Sequence, residues 1–170
     1  MTGRFFPVQS VHLGQTGAFA SFNEATLPFP GLLGAVVEDN GKVYRLVKFD
    51  NGAGNVASIA GGAAYWKTRA SGIVTSDITD QEAGANSVAG GFLGVVTDLY
   101  YCFIQIGGTQ SVSTAASVVA GDKLTGGGAT DMQLVRNAAA TASPDLAVAT
   151  AYGSVSGGFT TVYWILGMLL

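Results

Sequence analysis

The sequence predicts an all-β fold: a small antiparallel β-barrel or sandwich carrying an extended N-terminal arm. Short apolar runs rich in β-branched and aromatic residues recur along the chain between clusters of turn residues, as a series of strands requires. One pair of runs is separated by Asn40-Gly41. That dipeptide is the strongest local hairpin cue, because both residues tolerate positive φ. Composition points the same way: 25 glycines and only 11% charged residues describe a turn-rich, weakly charged molecule.

A chain of 170 residues, 48% of them apolar, is most economically one folded domain rather than a disordered polymer. Residues 1–30 stand apart as an arm, and 31–170 form the β domain. Pro7, Pro28 and Pro30 bracket the arm, Gly14 and Gly17 interrupt it, and Phe5, Phe6, Phe19, Phe22 and Phe29 supply five of the nine phenylalanines. Proline and glycine oppose regular structure, while the aromatic rings demand burial. An extended segment whose phenylalanines dock on its own barrel, on a neighbouring copy or on another protein meets both demands, so these five are the candidate partner contacts.

The elements follow in order. Leu32–Glu38 and Val43–Phe49 form the hairpin around Asn40-Gly41. Val43, Arg45, Val47 and Phe49 take one face of its second strand, and Tyr44, Leu46 and Lys48 the other; a cation on each face predicts that neither is fully buried. Residues 50–62 are a loop, 63–68 (AAYWKT) a short strand, and 71–87 a polar loop. The stretch 89–108, AGGFLGVVTDLYYCFIQIGG, is the expected core hairpin, with strands Phe92–Thr97 and Leu99–Ile106 between glycine pairs. Its second strand is apolar on both faces and needs cover on both. Residues 110–119 are a strand or short crossover, Lys123-Leu124 follows a tight turn, and 132–136, 146–151 and 159–166 are further strands. Ala138–Ala142 is a candidate helical turn. The apolar faces of Leu99–Ile106 and Phe159–Leu170 exceed what a small barrel leaves to solvent, which predicts self-association, a trimer first and a dimer second.

Charge and motifs exclude more than they assign. Residues 1–69 carry six Lys/Arg against four Asp/Glu, and residues 70–170 two against seven, so charges of +2 and −5 sum to −3. Nothing is dense enough for a nucleic-acid footprint. The apolar run at 162–170 is far shorter than the ~20 residues a helix needs to span a bilayer. Cys102 is alone within an apolar strand and reads as a small hydrophobe, in keeping with synthesis in a reducing cytoplasm. The single histidine, His12, has no second histidine to complete a zinc site.

Gly52-Ala53-Gly54-Asn55-Val56-Ala57 formally fits a dinucleotide fingerprint, but Gly61-Gly62 interrupts the helix that must follow, so a plain loop is the expectation. Asp77, Asp80 and Glu82 could hold calcium only in an unfamiliar spacing, and a solvated loop is expected instead. Gly153–Gly157 has its serines misplaced for a nucleophile elbow, and Asp98 beside Tyr100 and Tyr101 suits a hairpin turn better than acid–base work. The expectation is therefore no enzyme, no cofactor and no metal.

Three segments resemble the β-rich capsid decoration (cement, or head-stabilising) proteins of tailed bacteriophages: GLLGAVVEDNGKVYRLVK (31–48), FLGVVTDLYYCFIQIGG (92–108) and AGDKLTGG (120–127). The resemblance implies a barrel-like body with an arm, made in the host cytoplasm. It implies many copies bound outside the major capsid protein shell, where they bridge capsomers and stabilise the expanded head. It leaves room for contact with a head fibre protein. The longer, phenylalanine-rich arm departs from the simplest members. The alternative is a carbohydrate-binding or fibre-anchoring β domain on the virion, in which Tyr65, Trp66 or Trp164 would stack on sugar rings.

Overall fold

The structure is a computed structural model, described here for residues 33–83, 87–126, 128–137 and 147–165. The arm with its five phenylalanines and His12, the candidate turn at 138–142 and the tail beyond 165 lie outside the described residues. Among the described residues ten strands build an all-β body: β1 (Val36–Asp39), β2 (Lys42–Phe49), β3 (Ala63–Thr68), β4 (Ile73–Thr75), β5 (Val88–Phe92), β6 (Tyr101–Ser113), β7 (Lys123–Thr125), β8 (Val135–Arg136), β9 (Ala149–Ala151) and β10 (Phe159–Trp164).

Strands β2, β4, β3, β5 and β6 hydrogen-bond in that order, and pairing of β6 back onto β2 closes them into a five-stranded barrel. One pair of strands departs from the antiparallel expectation: β2 and β4 run parallel, with Lys48 opposite Ile73 and Phe49 opposite Val74; an isolated bridge between Thr114 and Leu134 is parallel too. Beyond Gly107 the long strand β6 leaves the barrel and pairs with β10, which carries β9, β7 and β8 outward as a second sheet. Strand alternation then fills two cores. Val47, Phe49, Ala64, Trp66, Val74, Phe92, Cys102, Ile104 and Ile106 pack within one, and Phe49 meets Phe92 edge-on at 5.4 Å. Tyr65, Val88, Val112, Leu124, Leu134, Val148, Val162 and Trp164 fill the other. Strand β3 divides its side chains between them, Ala64 and Trp66 to the first and Ala63 and Tyr65 to the second, which is why AAYW contains no polar position.

The hairpin at Asn40-Gly41 is as expected. Asp39 pairs with Lys42 across the turn, with Asn40 at φ 51° and Gly41 at φ 73°, both left-handed as a two-residue type I′ turn demands. Replacing Gly41 with valine should lower stability by about 1–2 kcal/mol, since a β-branched side chain is strained there. Thermal melting checks it, and an unchanged midpoint would mean that the turn has another conformation.

Two expectations are corrected. The core hairpin exists, but its strands are β5 and β6, joined by a loop at 93–100, and not Phe92–Thr97 and Leu99–Ile106. The glycine pairs taken as fences lie inside the strands. A β-carbon on Gly91 would run into Oε1 of Gln110 and come within 2.8 Å of the Trp164 ring. Glycine here makes room for a neighbouring side chain rather than breaking the strand. The polar stretch 71–87 also hides β4 and a 3₁₀ turn at Ile78–Asp80. Of the apolar faces that argued for self-association, Ile104, Ile106, Val162 and Trp164 are fully buried within the chain, whereas Leu99 is exposed and 166–170 lie outside the described residues.

Candidate functional site

The described residue that strand alternation treats most unusually is Arg45. It stands opposite Ile104 on β6, between Tyr44 and Leu46, which are buried. Its side chain therefore takes the face of Val47 and Phe49 and lies at the mouth of the barrel rather than on its outside. There its guanidinium carbon sits 5.8 Å from the centre of the Trp66 ring, and that of Arg69 sits 5.9 Å from the same ring. Trp66 ends the inward row of β3, and Arg69 opens the 3₁₀ turn Arg69–Ser71 that leads into β4.

Around them is a cleft of about 390 Å³, lined also by Leu33, Gly34, Val36 and the turn Ala70–Gly72. Leu33, Gly34 and Val36 belong to the entry into β1, whose Val36 pairs directly with Arg45. Two cations against one indole face make a cation–π cluster, each contact contributing about 0.5–1 kcal/mol. Partial burial, and then the nearby charge of Arg69, hold the Arg45 pKa below its ordinary value. Carboxylate oxygen Oε2 of Glu82 accepts the backbone N–H of Arg69 at 2.9 Å, which fixes the turn. Chemically the cleft can hold an anion beside its two guanidinium groups.

Other candidate residues are committed to holding loops. The carboxylate of Asp77, buried at 2% exposure, accepts the N–H and hydroxyl of Thr79 at 2.8 and 2.6 Å and the N–H of Gly54 at 2.9 Å. Asp80 and Asp50 share the Lys67 ammonium at 2.6 and 3.0 Å. The Asp80 hydrogen bond, reinforced by Asp50, keeps that lysine charged to higher pH despite partial burial. Asp77, Asp80 and Glu82 therefore turn to three separate partners, and the acidic stretch is not the wholly solvated loop expected. Among the described residues no group of three or more His, Cys, Asp or Glu is placed to hold a metal ion.

The glycine-rich stretch 52–57 is a loop, as expected, and its amides are in use: Gly52 N–H bonds Asp50 and Gly54 N–H bonds Asp77. A pyrophosphate would have to displace both carboxylates. Asp98 accepts the N–H of Asn51 at 2.9 Å and pins the 93–100 loop to the 50–56 loop. Cys102 is buried, which pushes its thiol up to about 12 and leaves it un-ionised. Tyr65, Trp66 and Trp164 are 0%, 6% and 0% exposed, so none offers a ring to a sugar. Exposed large apolar residues lie elsewhere, notably Val95 and Leu99 on the 93–100 loop and Tyr152, which packs edge-on against Tyr163 at 6.2 Å.

Sequence reasoning placed Arg45 on the face of Val47 and Phe49 but took that face as partly solvated. The signal it lacked was Arg69, which joins the cluster only because β3 and β4 are neighbours in the barrel. No protein-family model and no curated protein matches the chain. Among solved structures the chain is similar to the head fiber gp8.5 N base of bacteriophage phi29. The identity is 16% and the TM-score 0.47, over 72% of this chain and 93% of that one. A likeness at that level does not decide what the chain does.

Proposed function

We propose that this chain is a structural virion protein that binds the outside of a major capsid protein shell and stabilises the expanded head by bridging capsomers. The observation that carries this reading is how the barrel spends its charged groups. Asp50, Asp77, Asp80, Asp98 and Lys67 brace loops against one another, which is the work of a rigid scaffold. The segments 31–48 and 92–108, whose sequence resembles decoration proteins, supply β2 and β6, the pair that closes the barrel. In this reading no chemical step is catalysed and no cofactor is needed. A bridging protein can bind weakly at each contact, with about 800 Å² buried per partner, because repeated copies add avidity.

The arm is the proposed anchor, through Phe5, Phe6, Phe19, Phe22 and Phe29. Burying them contributes roughly 2–3 kcal/mol apiece, less than the cost of ordering ~30 residues at about 1–2 kcal/mol each. Backbone pairing with the partner's sheet, or with a neighbouring copy, must add to those contacts.

Cosedimentation with empty expanded capsids tests the proposal. The full chain should pellet with them, whereas a chain lacking residues 1–22 should fold, as judged by circular dichroism, yet stay in the supernatant. Equal capsid binding by both forms would remove the arm from the mechanism, and binding by neither would remove the capsid. Sugar binding is the second reading. With Tyr65, Trp66 and Trp164 buried, it moves to Tyr152, 64% exposed beside Tyr163.

A further inference from the structure

We propose that the Arg45–Trp66–Arg69 cleft binds a carboxylate side chain presented by an extended segment of a partner protein. The cleft holds two guanidinium groups against one ring, at 5.8 and 5.9 Å from its centre. Like charges gathered in a partly desolvated mouth repel each other, and a bound anion reverses the sign of that interaction. Lys67 pairs with Asp50 and Asp80, and Arg136 with Asp122; among the described residues Arg45 is paired with no carboxylate. Its guanidinium fork, with donors matched to a planar oxyanion, is thus available at the cleft.

A protein segment carries its anions as Asp or Glu carboxylates, and the planar donor fork of Arg45 can take such a group in a bidentate pair. The walls fit the methylene stem of an acidic side chain: Leu33, Val36 and Ala70 are apolar.

A protein segment, rather than a free acid, is indicated by what lies alongside. Strand β1 pairs only with β2 among the described residues, so its other edge offers unpaired backbone groups. Val36 on that strand is 43% exposed and stands beside Arg45. An extended segment added along β1 would bring a side chain over the cleft, with main-chain bonds supplying affinity and the acid supplying selectivity.

Titration of the full ¹⁵N-labelled chain with a capped Val-Glu-Val peptide, its Val-Gln-Val counterpart and inorganic phosphate tests this. The glutamate peptide should shift the Trp66 indole N–H and the amides of Gly34 and Gly72 saturably. The glutamine peptide, and the glutamate peptide on Arg45→Gln, should bind about tenfold more weakly or worse. Arg45→Lys, which keeps the charge but loses the fork, should fall between. Equal response to the two peptides, no response, or tighter binding of phosphate overturns the proposal. So does saturation seen only in a Glu24→Gln chain, because the cleft would then be filled by the chain's own arm. If Arg45→Gln fails to fold, the two peptides compared on the unmodified chain still decide. The peptides contain no capsid, so failure here and failure of capsid binding are read separately.

Discussion

Replacing Trp164 with alanine is expected to lower stability by about 3–5 kcal/mol, the range for deleting a large aromatic side chain from a packed core. Trp164 is fully buried where the barrel hands over to the second sheet, paired across β10 and β6 with Gly108. Its indole N–H donates to Oε1 of Gln110 at 2.7 Å, and Nε2 of Gln110 donates to the carbonyl of Phe92 at 2.9 Å. That relay ties β10 through β6 to β5, using the space that Gly91 leaves empty. Trp164→Phe keeps most of the apolar contact but leaves Oε1 of Gln110 without its donor, a cost of about 1–3 kcal/mol for a buried acceptor. Urea unfolding separates the two. The alanine variant should lose more than the phenylalanine variant; if both unfold near the wild-type midpoint, the relay does not join the sheets.

The legible part of this fold was whatever depends on local pattern. Asn40-Gly41 specified a turn, AAYWKT specified β3 to the residue, and the run 159–166 contains β10. What escaped depends on neighbours distant in sequence. Gly90-Gly91 and Gly107-Gly108 read as breaks because a glycine's local meaning is a turn; the role of Gly91 and Gly107 as space for Gln110, Trp164 and Val43 exists only after β2, β5, β6 and β10 assemble. Strand β4, three residues long, was hidden in a polar stretch because its parallel pairing with β2 leaves no turn signal. The cleft was half visible. Alternation placed Arg45 with Val47 and Phe49, but a lone arginine on an apolar face cannot be told from a solvated edge until Arg69 is brought to the same ring. Tyr65, Trp66 and Trp164 were candidates for sugar stacking on residue type alone, and burial reassigns them to the cores.

Asp77→Ala should destabilise the chain by about 3 kcal/mol at neutral pH, because it leaves the N–H groups of Gly54 and Thr79 and the Thr79 hydroxyl without their acceptor, at about 1–3 kcal/mol for each buried group left unpaired. The loss should also depend on pH in a fixed sense. Hydrogen bonding from the Thr79 hydroxyl, helped by the N–H groups of Gly54 and Thr79, outweighs burial and holds the Asp77 carboxyl below its ordinary value of 3.8. A group whose folded pKa is depressed contributes stability above its unfolded pKa and loses it as pH falls through the folded one. Asp50 shifts in the same direction: burial opposes it, but the Gly52 N–H and Lys67 prevail. Wild-type stability should therefore be level above about pH 5 and decline below about pH 4. In Asp77→Ala the decline should be shallower, with only the Asp50 share left, and the gap between the two proteins should narrow on acidification. Urea unfolding at pH 6 and pH 3 measures that gap at both ends. A gap that stays constant or widens at pH 3 would mean that the Asp77 charge is not what holds the 52–55 loop against the 3₁₀ turn at Ile78–Asp80.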